Sequence, residues 1–209
     1  MENKIIINIG RQLCAGGLEI GRLLADEFHA AFYDRELLNL AAKESGFSEA
    51  FLKRSDERKG FLRTFLHLPY ANNMGAGSGN FYQNNFSQES LFKFQSDAIR
   101  KAAQEGSCVF VGRCADYVLR DFPNVTNIFI TAPLDTRVHL FMKEKGVDYD
   151  EALKRIEHIE SRRASYYNYY TGKRWGAAES YDLCIDAGIL GIEASARLIA
   201  EFVRQRFEL

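Results

Sequence analysis

Lys4-Ile5-Ile6-Ile7-Asn8-Ile9-Gly10-Arg11-Gln12-Leu13-Cys14-Ala15-Gly16-Gly17-Leu18-Glu19-Ile20 is the stretch on which the fold turns. Lys4 to Ile9 is a short β-branched run that stops at Gly10, the pattern of a buried strand. An irregular stretch leads to Gly16 and Gly17. Ile20, Leu23, Leu24, Glu27 and Phe28 then recur at helical spacing. Strand, glycine-bearing loop and helix, in that order, build an anion site at a helix N-terminus. A complete phosphate loop reads G-x-x-x-x-G-K-[ST], with the lysine on the outer phosphates and the hydroxyl on magnesium. Here Gly17 stands where the lysine belongs, and Leu18 and Glu19 offer no hydroxyl. An ordinary strand-to-helix turn explains this stretch as well as a phosphate cradle does, and Glu19 suits the first turn of any helix.

Working outward, further continuous apolar runs follow at Ala31-Phe32-Tyr33, Cys108 to Val111, Asn127 to Thr131 and Tyr181 to Asp186. Asp34 is a good N-cap for a helix through Leu37 to Ala41. Helices are expected over 46–70, from Gln88 to Glu105 and from Ile192 to Arg206. Residues 72–85 have the Gly, Asn and Ser content of a loop. Apolar strands alternating with helices predict a parallel sheet covered on both faces. Too little chain flanks residues 72–85 for two cores, so one domain over 1–209 is expected.

The 209 residues are 46% hydrophobic and 26% charged, with a net charge of -1. That balance disfavours a protein built wholly for nucleic acid, which would be basic throughout. Any basic site is therefore local. No run approaches the roughly 20 apolar residues that span a bilayer, and Ile5 to Ile7 is too short for a secretory core. Cys14, Cys108, Cys114 and Cys184 lack the paired spacing of a zinc site. Reduced thiols in a cytoplasmic protein are the expectation. His29, His67, His139 and His158 show no ligand spacing and read as structural or surface residues.

Two other stretches carry candidate chemistry. Gly112-Arg113-Cys114-Ala115-Asp116-Tyr117 follows a buried strand, where ligands gather in open α/β sheets. Arg113 can fork onto a phosphate, or pair with Asp116 along a helix surface. Lys154 to Arg174 holds six basic residues against Glu157 and Glu160, a local excess of +4. Arg155, His158 and Arg162 share one helical face. Such guanidiniums suit a phosphoryl-transfer site that closes on its substrate. Tyr166, Tyr167, Tyr169 and Tyr170 beside them also suit single-stranded nucleic acid, and a solvated helix face explains the charges as well.

Together these pieces resemble the cytidylate kinase-like family, a divergent branch of the P-loop nucleoside monophosphate kinases. The family opening, a strand and then Ser-Arg-x-x-Gly-Ser-Gly-Gly-x-Glu-Ile, is similar to Gly10 through Ile20, with Tyr33-Asp34 downstream. Gly112-Arg113 is similar to the segment whose arginine holds the monophosphate. Arg162-Arg163-Ala164 through Gly172 looks like the lid, and Tyr181 to Asp186 with Leu190 to Glu193 like the last strand and helix. In this chain Cys14-Ala15 stands for the family's Gly-Ser, and Gly10 for its first Ser.

The resemblance implies a three-layer α/β/α P-loop fold with a mostly parallel five-stranded sheet. It implies a helical acceptor-side insert at about 46–95 and a lid at about 150–175. It implies ATP and Mg2+, with transfer to CMP, dCMP or a similar acceptor. Arg11, Cys14, Ala15, Gly16 and Gly17 would bind the donor nucleotide. Asp34, Arg113 and Asp116 would bind the acceptor, and Arg155, Arg162 and Arg163 would be catalytic. No side chain is assigned to the metal. The lysine-free loop admits a different class of function, a nucleotide sensor without transfer. A nucleic-acid partner and a membrane are not expected, and a homo-oligomer is compatible with the sequence.

Overall fold

A computed structural model describes residues 4–34 and 88–208. Five strands form one sheet: β1 (Ile6–Arg11), β2 (Ala31–Tyr33), β3 (Cys108–Val111), β4 (Val125–Thr131) and β5 (Leu183–Asp186). Their order is β2-β3-β1-β4-β5, and every pairing is parallel. Helices between the strands cover both faces, giving a three-layer α/β/α architecture.

Continuous apolar strands are what such burial demands. On one face Ile7, Ile9, Val109, Val111, Ile128 and Ile130 pack against Ile20 and Leu24 of α1 (Gly17–Glu27). They also meet Ile199 and Val203 of a C-terminal helix, Ile192–Phe207. On the other face Ile6, Cys108 and Phe110 pack against Ala98, Ile99 and Ala102 of α2 (Gln88–Glu105). Val118 and Leu119, on and just after the four-residue α3 (Ala115–Val118), complete that layer. A third cluster joins α4 (Leu134–Lys145) to the 23-residue α5 (Tyr149–Thr171) through Val138, Phe141, Ala152 and Ile156. The short α6 (Ala187–Leu190) leads from β5 to the C-terminal helix, α7.

Two local details position the site. The first strand does not end at Gly10 but pairs on to Arg11, with Gly10 level with Phe129 and Arg11 with Ile130. A Cβ at Gly10 would lie 2.7 Å from the Phe129 ring and 3.2 Å from the Tyr181 ring, so glycine here admits two aromatics rather than a bend. In mid-sheet, Asn8 and Asn127 face one another, Asn8 Nδ2 donating to Asn127 Oδ1 at 2.9 Å.

The sequence periodicity gave no sign of α4. Leu134 and Leu140 point to solvent and only Arg137, Val138 and Phe141 are buried, so its apolar stripe is broken. Its end signals are visible in retrospect: Pro133 before it, Asp135 in the first turn, Lys143 and Lys145 in the last, and Gly146 closing it with φ 65°. The helices expected after Asp34 and over 46–70, the loop at 72–85 and most of the insert at 46–95 lie outside the described residues.

Candidate functional site

The carboxyl ends of β1 and β3 open into a cleft of about 1470 Å³. On its floor, Gly16 caps α1 with φ 77° and no side chain caps the helix, which leaves the first-turn amides of Gly17, Leu18 and Glu19 for a ligand. Cys14, where the family carries glycine, still adopts a left-handed φ of 58°. The loop thus keeps the backbone path a glycine would give it, at a cost of about 1–2 kcal/mol for the Cβ. Burial pushes the Cys14 thiol above its ordinary pKa, with the Glu144 carboxylate adding to the effect, so it is no thiolate nucleophile.

Tertiary contacts fix that loop. Leu13 and Cys14 pack on the α4–α5 cluster. Glu160 of α5 accepts the Leu13 N–H at 3.0 Å and a second bond from Arg137 Nη1 at 2.7 Å on the same Oε1. Arg137, 4% exposed, also donates from Nε to the Ala132 carbonyl at 2.9 Å. Arg163 Nη1 donates to the Arg11 carbonyl at 3.2 Å, and Gln12 Oε1 accepts the Ala132 N–H at 3.3 Å.

Beside it, the turn after β3 carries three successive left-handed residues: Gly112 (φ 84°), Arg113 (φ 62°) and Cys114 (φ 55°). Non-glycine residues held this way cost about 1–3 kcal/mol each and cluster at ligand sites. Asp116 is buried and accepts a 2.6 Å bond from the Tyr167 hydroxyl. That contact replaces the surface pairing with Arg113 that helical spacing allowed. Burial raises the Asp116 carboxyl above its ordinary pKa, and the Tyr167 bond and the Lys173 charge pull it partly back. Burial also lifts the Cys114 thiol and the Tyr181 phenol, each to about 12.

The cleft lining includes Arg11, Cys14, Ala15, Gly16, Gly17, Asp34, Arg113, Asp116, Arg162 and Arg163, so these candidates share one space. Arg155 does not line it. Its Nε donates to Glu151 at 2.6 Å, one turn back along α5. It shares a helical face with Arg162, but seven residues separate them by roughly 10 Å along the axis. The sequence reading missed the contributions of Thr136, Leu140, Lys143 and Glu144, all on the unrecognised α4. Tyr166, Tyr167, Tyr169 and Tyr170 line the same cleft, with Tyr170 stacked on Phe92 at 4.0 Å between ring centres and Tyr167 on Tyr181. Tyr169 remains 70% exposed.

A P-loop-like turn, a coiled arginine turn beside it and paired arginines on a crossing helix are matched by one family description, which spans residues 6–189: the cytidylate kinase-like family. The chain belongs to that family. Its similarity extends to the cytidylate kinase of Methanosarcina barkeri, 39% identical over 64 residues, covering 30% of this chain and 36% of that protein. The cytidylate kinase of Ignicoccus hospitalis is 26% identical over 101 residues, covering 48% and 58%. The matched stretches thus take in between about a third and just over half of these relatives' length. An uncharacterized protein from Eubacterium ventriosum, solved by crystallography, superposes with a TM-score of 0.70 at 27% identity over 96% of this chain and 98% of that one. Shikimate kinase from Bacteroides thetaiotaomicron, at TM-score 0.52 and 13% identity over 98% and 99%, shares the fold. Among the described residues, no helix of this family member is long and apolar enough to cross a membrane.

Proposed function

We propose that this protein transfers the γ-phosphoryl group of ATP to a nucleoside monophosphate, with CMP or dCMP the leading acceptors. The observation that carries the reading is the meeting, in one cleft, of uncapped helix amides, the strained Arg113 turn and the paired Arg162 and Arg163. Amides of α1 hold the donor phosphates, Arg113 the acceptor phosphate, and Arg162 with Arg163 the charge in flight. An oxygen of the acceptor phosphate, already ionised, attacks the γ-phosphorus. The bond to the bridging β–γ oxygen breaks, its electron pair leaves with ADP, and no proton need move.

The donor set suits a magnesium ion that arrives on the triphosphate. Among the described residues no cluster of three or more His, Cys, Asp or Glu could cage a metal. Magnesium in such sites takes one or two carboxylates, with phosphate oxygens and water supplying the rest. Among the cleft carboxylates, Glu19, Asp34 and Glu144 would supply such a ligand, whereas Asp116 is engaged by Tyr167. When bound, the ion neutralises the donor oxygens.

The test is ADP formation from ATP and magnesium with each nucleoside monophosphate in turn. CMP or dCMP should raise the rate most. Saturable ATP binding with no transfer to any monophosphate would make the protein a sensor and overturn the reading.

A further inference from the structure

Residue 17 is where a complete phosphate loop keeps its lysine. Here a side chain at 17 is sterically shut out by another residue. A Cβ on Gly17 would stand 2.6 Å from Cβ and 2.8 Å from Cγ of Arg11. Those atoms sit close to the β1 backbone and cannot swing aside cheaply. Arg11 is the last residue of β1, paired with Ile130, and its carbonyl is held by Arg163. Its methylene stem therefore crosses the bare first turn of α1. The guanidinium ends at the neighbouring turn: a Cβ on Gly112 would run into Nη1 of Arg11, with Cζ 3.2 Å away.

We infer that Arg11 is the cation for the donor's outer phosphates in place of the absent lysine, and that Gly17 is the socket that lets it reach them. This deepens the proposed transfer reaction and rests on it. The charge has moved from the head of the helix to the end of the preceding strand, and a lysine at 17 and an arginine at 11 cannot share the space. The guanidinium spans the gap between the amides of α1 and the turn bearing Arg113. That is where the terminal phosphate of a triphosphate seated on those amides would meet an acceptor held by Arg113. A planar fork of donors can engage two phosphate oxygens at once, which a single ammonium does less well. Arg11 stays protonated throughout, so it supplies charge and hydrogen bonds without exchanging a proton.

The socket makes the inference testable with three variants of the full chain. Arg11→Ala should lower turnover by on the order of a hundredfold in protein that the melting temperature shows to be folded. Gly17→Ala alters no charge, yet its methyl displaces the Arg11 stem and should lower turnover at least about tenfold. The exchange variant Arg11→Gly with Gly17→Lys clears the stem and restores a cation at the loop. It should recover at least about tenfold of what Arg11→Gly alone loses. Wild-type turnover in Arg11→Ala overturns the inference, as does an exchange variant that folds but recovers nothing. Calorimetric titration with Mg-ATP separates this from the kinase reading. If wild type binds Mg-ATP but transfers to no acceptor, the kinase reading fails. A tenfold or greater loss of Mg-ATP affinity in Arg11→Ala then still supports the assignment, and an unchanged affinity overturns it.

Discussion

The turn after β1 and the turn after β3 leave adjacent parallel strands at the same edge of the sheet, yet they meet the cleft in different ways. In the first, the loop side chains are tied to the rest of the fold: Leu13 and Cys14 pack on α4 and α5, and Gln12 accepts the Ala132 N–H two residues ahead of α4. The backbone amides of α1 are offered to an anion there, beside the guanidinium of Arg11. In the second, the backbone is coiled through Gly112, Arg113 and Cys114, and the helix behind it has only four residues. There the side chains of Arg113 and Asp116 face the cleft. A site made of backbone depends on anchors elsewhere in the fold, whereas a site made of side chains depends on strain stored within it.

Removing the principal anchor tests that contrast most severely. Glu160→Ala leaves the buried Arg137 guanidinium without its carboxylate and the Leu13 N–H without its acceptor. We expect a loss of about 3 kcal/mol, the usual cost of breaking a buried pair from one side, read from urea unfolding. Glu160→Gln, which keeps an acceptor oxygen, should lose less. A cost under about 1 kcal/mol would mean the first turn holds its shape without α5.

At the second turn, Arg113→Ala and Arg113→Gly should each weaken CMP binding by about 2–3 kcal/mol, as expected for losing a charge-assisted contact. They should differ in stability, the glycine variant being firmer by about 1 kcal/mol because φ 62° suits it. Calorimetry and melting temperatures together check both halves. Equal stabilities would show that the left-handed backbone stores no strain at Arg113.

The smallest effect concerns Asp116. Its folded pKa lies above its ordinary value, mainly through burial. The folded state therefore holds the proton more tightly than the unfolded one, and stability falls as pH rises from about 4 through the folded pKa. Asp116→Asn keeps an acceptor for Tyr167 and removes the buried charge. The variant should match wild type below about pH 4, where both side chains are neutral, and be the more stable of the two, by melting temperature, near neutral pH. A constant difference across that range would remove ionisation as the cause.

Legibility in the sequence followed the same divide. β3, buried along its whole length, announces itself as an apolar run and is legible to the residue, as are the short half-buried edge strand β2 and the ends of α2. Arg113 was visible because an arginine after an apolar strand and a glycine is a local pattern. The anchors of the first turn were not, because Arg137, Glu160 and Leu13 meet only through folding, 147 residues separating the last two. Helical spacing grouped Arg155 with Arg162 correctly by face, but it carries no information about which end of α5 reaches the cleft. Gly17 looked like a lost lysine. Only the path of Arg11 gives it a steric role.

The Asn8–Asn127 contact bears on how the chain finds this sheet. Ile6, Ile7 and Ile9 of β1 and Ile128, Phe129 and Ile130 of β4 would adhere in several alignments, since one greasy strand fits another almost anywhere. The two carboxamides break that degeneracy. A slide of one residue turns them to opposite faces of the sheet, and a slide of two sets Asn8 against Phe129 or Val125. Either error parts the two carboxamides and forfeits their shared hydrogen bond, at about 1 kcal/mol. The pair thus acts as a vernier mark in the middle of the sheet, rejecting near-miss alignments before the loops at its edge have anything to bind.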